Sequence, residues 1–330
     1  MNSSLHIAYD VVMIGLSMSL LVLVIVLFLV CKKKPVESEE TLPVKLCARA
    51  YSLMDVDAAT DGFSYRRIVG KGRLGTVYAG ILEKEVVAIK RIHPRLVLSN
   101  AGFGFPSVLK WLSLAQHPHV VPILGFSEAP GERIIIMEFV GMVSLEFYLH
   151  QNPDGASLLD WSQRLRIAAG AARGLEYLHE VMAPNVVHGC VKAANILIDV
   201  HFCARICDYG LNFLAPQEKR GITGYVDDEF WSGHGACKES DVYGFGLVLM
   251  ELLSGRECRE GLLAKWTLPL IKEMRLSELL DPRLVIPSNI NPIIRLAKVA
   301  SACVGNSRKS RPSMVQVAAI LNNLEMEVCF

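Results

Sequence analysis

Three glycines, Gly70, Gly72 and Gly75, stand in the spacing G-x-G-x-x-G between two β-rich runs. The spacing alone is ambiguous, because dinucleotide-binding turns share it. A dinucleotide turn opens a helix at its third glycine and sets the phosphate on the helix N-terminus. Here Thr76, Val77 and Tyr78 continue as strand, so the pattern predicts a glycine-rich hairpin lying over nucleotide phosphates. A second β-branched run, residues 86–90 (VVAIK), follows closely and ends in Lys90. A lone lysine on a strand usually marks a solvated face. Hairpin and lysine together constrain this part of the chain to a nucleotide-binding sheet.

A length of 330 residues leaves room for one large domain and accessory segments. The net charge of +1 gives no reason to expect nucleic acid or a strongly acidic partner. Nine cysteines are scattered without a C-x-x-C pair, which suits reduced thiols in the cytosol rather than disulfides or zinc. Hydrophobic residues reach 52%, with the excess near the N-terminus. Val11 to Cys31 is a run of 21 residues without a charge. About 20 apolar residues in helix cross a bilayer core, so this run is expected to form one transmembrane helix. No basic region precedes it and no small-residue cleavage site follows, which argues against a cleaved signal peptide.

Lys32, Lys33 and Lys34 follow at once, while residues 1–10 carry no Lys or Arg. The positive-inside bias therefore places residues 1–10 outside and everything after Lys32 in the cytoplasm. Such a tail is too short for a ligand-binding domain, and it holds the glycosylation sequon at Asn2 close to the bilayer. Cys31 at the inner boundary suits palmitoylation or ordinary burial equally. Residues 32–61 are polar and mixed in charge, and read as a juxtamembrane linker.

Residues 187–195, VHGCVKAAN, resemble the catalytic loop of protein kinases. That loop reads H-R-D-L-x-x-x-N, where Asp accepts the substrate hydroxyl proton and Asn holds Mg²⁺. His188, Lys192 and Asn195 match it, but Gly189 and Cys190 stand where Arg and Asp belong. No Asp or Glu lies between Glu180 and Asp199, so no shift of alignment recovers a base. The same resemblance makes Lys90 the lysine that reaches the α- and β-phosphates. It makes Cys207-Asp208-Tyr209-Gly210 a variant of D-F-G, with Asp208 as metal ligand and Tyr209 packed behind it. The helix glutamate that would clamp Lys90 falls on Val108, and residues 87–126 hold no acid. Leu109, Leu112 and Leu114 are still expected to give that helix an apolar face.

Residues 133–140 read as a buried strand leading to the hinge, with Met137 as gatekeeper. Glu138 and Phe139 would offer backbone contacts to an adenine, and Val77, Ala88 and Leu197 would complete the nucleotide site. Glu229 is expected to close the activation segment and pair with Arg311; His188 and Asp241 are further structural residues. Asp160 suits the N-cap of a helix running towards Glu180. Residues 241–253 are almost all apolar and should be buried. The wording AATDGFS at 58–64 and LDWSQRLRIAAG at 159–170 resembles plant receptor-like serine/threonine kinases, and the resemblance covers residues 58–325.

That resemblance implies an α+β, bilobal protein-kinase fold preceded by the membrane helix. The N-lobe would span 62–139 and the C-lobe 140–330. It implies weak binding of ATP with Mg²⁺ or Mn²⁺, a plasma-membrane location, and other receptor-like kinases or signalling proteins as partners. A general base contributes roughly 10²–10⁴-fold, and a cysteine with an ordinary pKa near about 8.5 stays mostly neutral. A nucleophilic Cys190 would need a positioned base, and only His188 is at hand. The chain therefore reads as a pseudokinase, a scaffold or co-receptor with an ATP pocket. The alternative is a weakly active serine/threonine kinase, because Lys90, Lys192, Asn195 and Asp208 remain. With Gly189 and Val108 in place, control by phosphorylation of Thr223 or Tyr225 in the activation segment is not expected.

Overall fold

The computed structural model describes residues 18–19, 47–99, 104–141, 143–152, 159–216, 218–219, 221–259 and 261–329. The chain divides into two units, Met1–Lys45 and Leu46–Phe330. The expected membrane helix at 11–31 lies outside the described residues apart from Met18 and Ser19, as do Asn2 and Cys31. Among the described residues no helix is long and apolar enough to cross a membrane.

The second unit begins with a six-stranded sheet. Its strands are β1 (Arg49–Ala50), β2 (Ile68–Lys71), β3 (Gly75–Leu82), β4 (Glu85–Ile92), β5 (Ile123–Ala129) and β6 (Glu132–Glu138), in the order β1-β5-β6-β4-β3-β2. Helix α1 (Leu53–Ala59) follows β1; α2 (Pro94–Ser99) and α3 (Phe105–Leu112) lie between β4 and β5. Residue alternation assigns the two sheet faces. Tyr78, Val87, Ile89, Ile134 and Ile136 pack with Val56 of α1 on one face. Val77 pairs with Lys90, Lys90 with Ile135, and Ala88 with Met137, so these side chains share the other face.

The linker expected at 32–61 therefore ends early. Residues 49–59 belong to the lobe: β1 pairs in parallel with β5, and Ser52 Oγ caps α1 by accepting from the Asp55 N–H at 3.1 Å. A Ser with an acid three residues on is a helix-start signal, and it was present in the sequence.

The helical lobe contains α4 (Trp161–Glu176), α5 (Lys238–Ser254), α6 (Leu262–Lys272), α7 (Leu276–Leu279), α8 (Asn291–Cys303) and α9 (Met314–Cys329), with a two-stranded ribbon of β7 (Ile196–Ile198) and β8 (Ala204–Ile206). Asp160 caps α4 as its sequence suggests. It accepts from the Gln163 N–H at 2.8 Å, and Gln163 accepts from the Asp160 N–H at 3.0 Å. Within residues 240–254 of α5, only Tyr243 is not fully buried. Arg164 is wholly buried, yet its charge is satisfied: it donates to the carbonyls of Leu159 and Leu252 and to Asp281 Oδ2 at 2.6 Å. The side chain of Arg164 thus ties α4 to the end of α5 and to the turn after α7.

Candidate nucleotide cleft

The cleft lies under the sheet face that carries Val77, Ala88 and Lys90. Its roof starts at the turn between β2 and β3, where the Gly72 N–H donates to the Gly75 carbonyl at 2.9 Å. A Cβ on Gly75 would sit 2.0 Å from the Arg91 carbonyl oxygen, so only glycine lets the hairpin approach β4 this closely. Ala88 and Leu197 are partly buried against the core, one from each lobe, and Met137 is buried behind them. At the hinge the Glu138 N–H is already taken by the Pro122 carbonyl at 3.1 Å, and its carboxylate meets Arg205 at 2.8 Å. That N–H is therefore engaged within the protein rather than open to an adenine. Phe139 is partly buried beside it.

Lys90, 7% exposed, rests its ammonium on both carboxylate oxygens of Asp208. Burial alone would push the Asp208 carboxyl up, but the Lys90 charge overrides it and holds the group below the usual range. Helix α3 supplies no acid to compete. Val108 packs partly buried against the core, and Leu109 and Leu112 are fully buried. Leu114, expected on the same apolar face, falls past the helix end and is 43% exposed. Tyr209 is buried and donates its hydroxyl to the Val121 carbonyl at 3.1 Å.

The loop at 187–195 hangs from Asp241, which is buried at the start of α5. Its carboxylate accepts the N–H groups of His188 and Gly189 at 2.7 and 2.8 Å, and His179 Nε2 lies 2.8 Å away. Gly189 has φ +79°, and a Cβ there would lie 2.9 Å from Asn212 Cβ. His188 is 1% exposed, and burial pushes its imidazole towards the neutral form. Its Nδ1 accepts the Cys190 N–H at 3.3 Å. That nitrogen is thus unavailable to the Cys190 thiol. The thiol itself is 6% exposed, packs against Ile222 and Phe230, and is pushed up by burial. A buried, protonated thiol is neither a base nor a nucleophile.

Lys192 donates to the Gly221 carbonyl at 2.9 Å, and Asn195 Nδ2 to the Cys190 carbonyl at 2.9 Å. The amide oxygen of Asn195 and the carboxylate of Asp208 are the hard oxygen donors of the cleft. These donor types suit Mg²⁺, which accepts one or two protein oxygens and keeps several waters. Lys90 would have to release an Asp208 oxygen to admit it.

At the end of the activation segment the expected Glu229–Arg311 pair does not form. Arg311 is bound to Asp227, and Arg308 grips the same carboxylate through Nε at 2.9 Å and Nη2 at 2.8 Å. Glu229 is 44% exposed at its side chain and comes only within 3.8 Å of Arg308. Asp227 is 5% exposed; burial pushes its carboxyl up, and the two arginines overcome this and lower it. Two acids two residues apart competed for one arginine pair, and the one whose side chain points inward won.

Arg73, at the hairpin tip, is a further residue of the cleft mouth. Its guanidinium is buried in contact with the activation segment. Nothing local to a G-x-G-x-x-G pattern marks that contact.

Residues 63–321 match the family model described as protein tyrosine and serine/threonine kinase. The serine/threonine-protein kinase-like protein CCR2 of Arabidopsis thaliana is 33% identical over 280 residues, covering 83% of this chain and 34% of that protein. The nodulation receptor kinase of Pisum sativum is 34% identical over 292 residues, covering 83% of this chain and 31% of its own length. The chain thus spans about a third of these curated relatives. The solved pseudokinase domain of BIR2, an immune regulator of the RLK/Pelle family, superposes with a TM-score of 0.72 at 31% identity, covering 84% of this chain and 87% of that one. With its β-sheet N-lobe, helical C-lobe and these relatives, the chain belongs to the protein kinase family, among proteins similar to plant receptor-like kinases.

Proposed function

We propose that this protein is a membrane-anchored pseudokinase, a signalling scaffold or co-receptor that does not transfer phosphate at an ordinary rate. One observation carries the reading. The position of the catalytic carboxylate holds Cys190, closed in by Ile222 and Phe230, with His188 Nδ1 already engaged. Phosphoryl transfer depends on positioning and charge stabilisation, and residues acting as a unit lose their effect together. The anchor is the uncharged run 11–31 followed by three lysines. On this reading the kinase-like domain lies on the cytoplasmic side of the plasma membrane, where receptor-like kinases and other signalling proteins are the fitting partners.

The cleft is read as a weak ATP pocket. Gly70, Gly72 and Gly75 would let the hairpin backbone approach the phosphates, Lys90 and Lys192 would supply charge, and Asn195 and Asp208 would hold Mg²⁺ or Mn²⁺. A bound divalent ion would neutralise phosphate charge. A second reading, a weakly active serine/threonine kinase, is favoured by the presence of Lys90, Asn195 and Asp208 in one cleft. The test is thermal melting of the full chain with millimolar ATP and either metal, beside phosphate incorporation. A melting shift without incorporation supports the proposal. No shift with either metal removes the ATP pocket, and incorporation that Asp208→Asn abolishes establishes the second reading.

A further inference from the structure

The hairpin tip is folded into the protein. Arg73, 9% exposed, donates from Nη1 to the Ala215 carbonyl at 2.9 Å and the Glu218 carbonyl at 3.5 Å, and from Nη2 to Asn212 Oδ1 at 3.3 Å. Its neighbour Leu74 is 4% exposed within the main apolar core, and His93 Nε2 lies 3.1 Å from the Gly72 carbonyl. Lifting the tip would break all of these contacts. Two more cations hold the same stretch from other elements. Arg95 of α2 meets the Glu218 carboxylate at 2.8 Å, and Lys192 meets the Gly221 carbonyl at 2.9 Å. Arg95 is about half exposed, so its pair contributes little. Arg73 is the buried tie, and a buried guanidinium left without its acceptors is costly.

The phosphates of a nucleotide would enter under this same hairpin. Phosphate oxygens are charged acceptors that a guanidinium forks onto more strongly than onto neutral carbonyls. We propose that Arg73 is an internal latch: it fastens the glycine hairpin to the activation segment across the mouth of the cleft, and Mg·ATP binds only as that latch is released. The nucleotide half rests on the reading of the cleft as an ATP pocket; the latch itself does not. A binding-competent form populated in a minority lowers apparent affinity by that fraction, so removing the latch tightens binding.

The test uses the full chain and Arg73→Ala, with Asn212→Ala as a second variant that frees only the far end. Hydrogen exchange of the amides at 211–215, without nucleotide, reports the latch; thermal melting confirms that each variant folds. Dissociation constants for Mg·ATP are measured on the same proteins. The expected result is exchange at least about tenfold faster in Arg73→Ala, with Mg·ATP bound at least about threefold more tightly. Asn212→Ala moves both readouts in the same direction by less. Unchanged exchange in folded Arg73→Ala overturns the latch whatever ATP does. Faster exchange with weaker binding overturns the competition and makes Arg73 a phosphate ligand. Faster exchange with no Mg·ATP binding to any of the proteins supports the latch and overturns the ATP pocket.

Discussion

The ammonium of Lys90 lies on the carboxylate of Asp208, in a cleft where α3 offers only Val108. Both partners are largely buried, with side-chain exposures of 8% and 13%. Removing one charge strands the other. Lys90→Met should therefore destabilise the fold by about 3 kcal/mol, while Lys90→Met with Asp208→Asn should cost clearly less than the sum of the single changes. Chemical denaturation of the four proteins gives the coupling. Additive costs would mean the pair is not a coupled unit.

Asp227 should matter where Glu229 does not. Asp227→Ala leaves Arg308 and Arg311 without their shared carboxylate and is expected to cost about 3 kcal/mol. Glu229→Ala removes an exposed side chain 3.8 Å from Arg308 and should stay within about 0.5 kcal/mol. Equilibrium unfolding of both variants decides which acid closes the segment. The reverse order of costs would restore Glu229 to that role.

On the proposed function, an acid introduced at position 190 should not confer transfer activity. Cys190→Asp buries an acid against Ile222 and Phe230. The expected outcome is a melting temperature lower by at least about 4 °C, with no gain in phosphate incorporation. Cys190→Ala removes one sulfur and should cost only about 1 kcal/mol. A stable, phosphorylating Cys190→Asp would show that the site opens to solvent.

Acid should act on the Arg164–Asp281 tie. Burial pushes the Asp281 carboxyl up, but Arg283 and Arg164 override this and hold it at about 2 against an ordinary 3.8. A carboxyl lowered on folding stabilises the protein above its unfolded value and loses that contribution as pH falls through its folded value. The contribution, about 2 kcal/mol, is thus complete above pH of about 4 and lost towards pH of about 2. Unfolding curves of wild type and Asp281→Asn should converge across that window. A constant gap between them would rule out Asp281 as the titrating group.

What was legible in the sequence was local. The glycine hairpin, the Asp160 cap and the buried α5 each follow from spacing within a dozen residues. That residues 181–198 and 87–126 hold no acid could be read directly. The contacts that escaped are made across long stretches of chain: Arg73 reaches Ala215 over 142 residues, and Arg311 reaches Asp227 over 84. Pattern names a candidate there, but only packing chooses between Asp227 and Glu229. The strand at Arg49–Ala50 was hidden for the same reason, because its partner β5 lies far along the chain. Leu114 failed differently, by lying beyond the end of a helix whose length its spacing could not fix.

On the proposed function, Cys190 leaves the fold without transfer chemistry. The most direct measurement is phosphate incorporation by the full chain with ATP and Mg²⁺ or Mn²⁺, read against Asp208→Asn. Incorporation indistinguishable from that control is expected, as absence of a general base worth roughly 10²–10⁴-fold and of its partners requires. Incorporation at least about tenfold above the control, and abolished by Asp208→Asn, would contradict it.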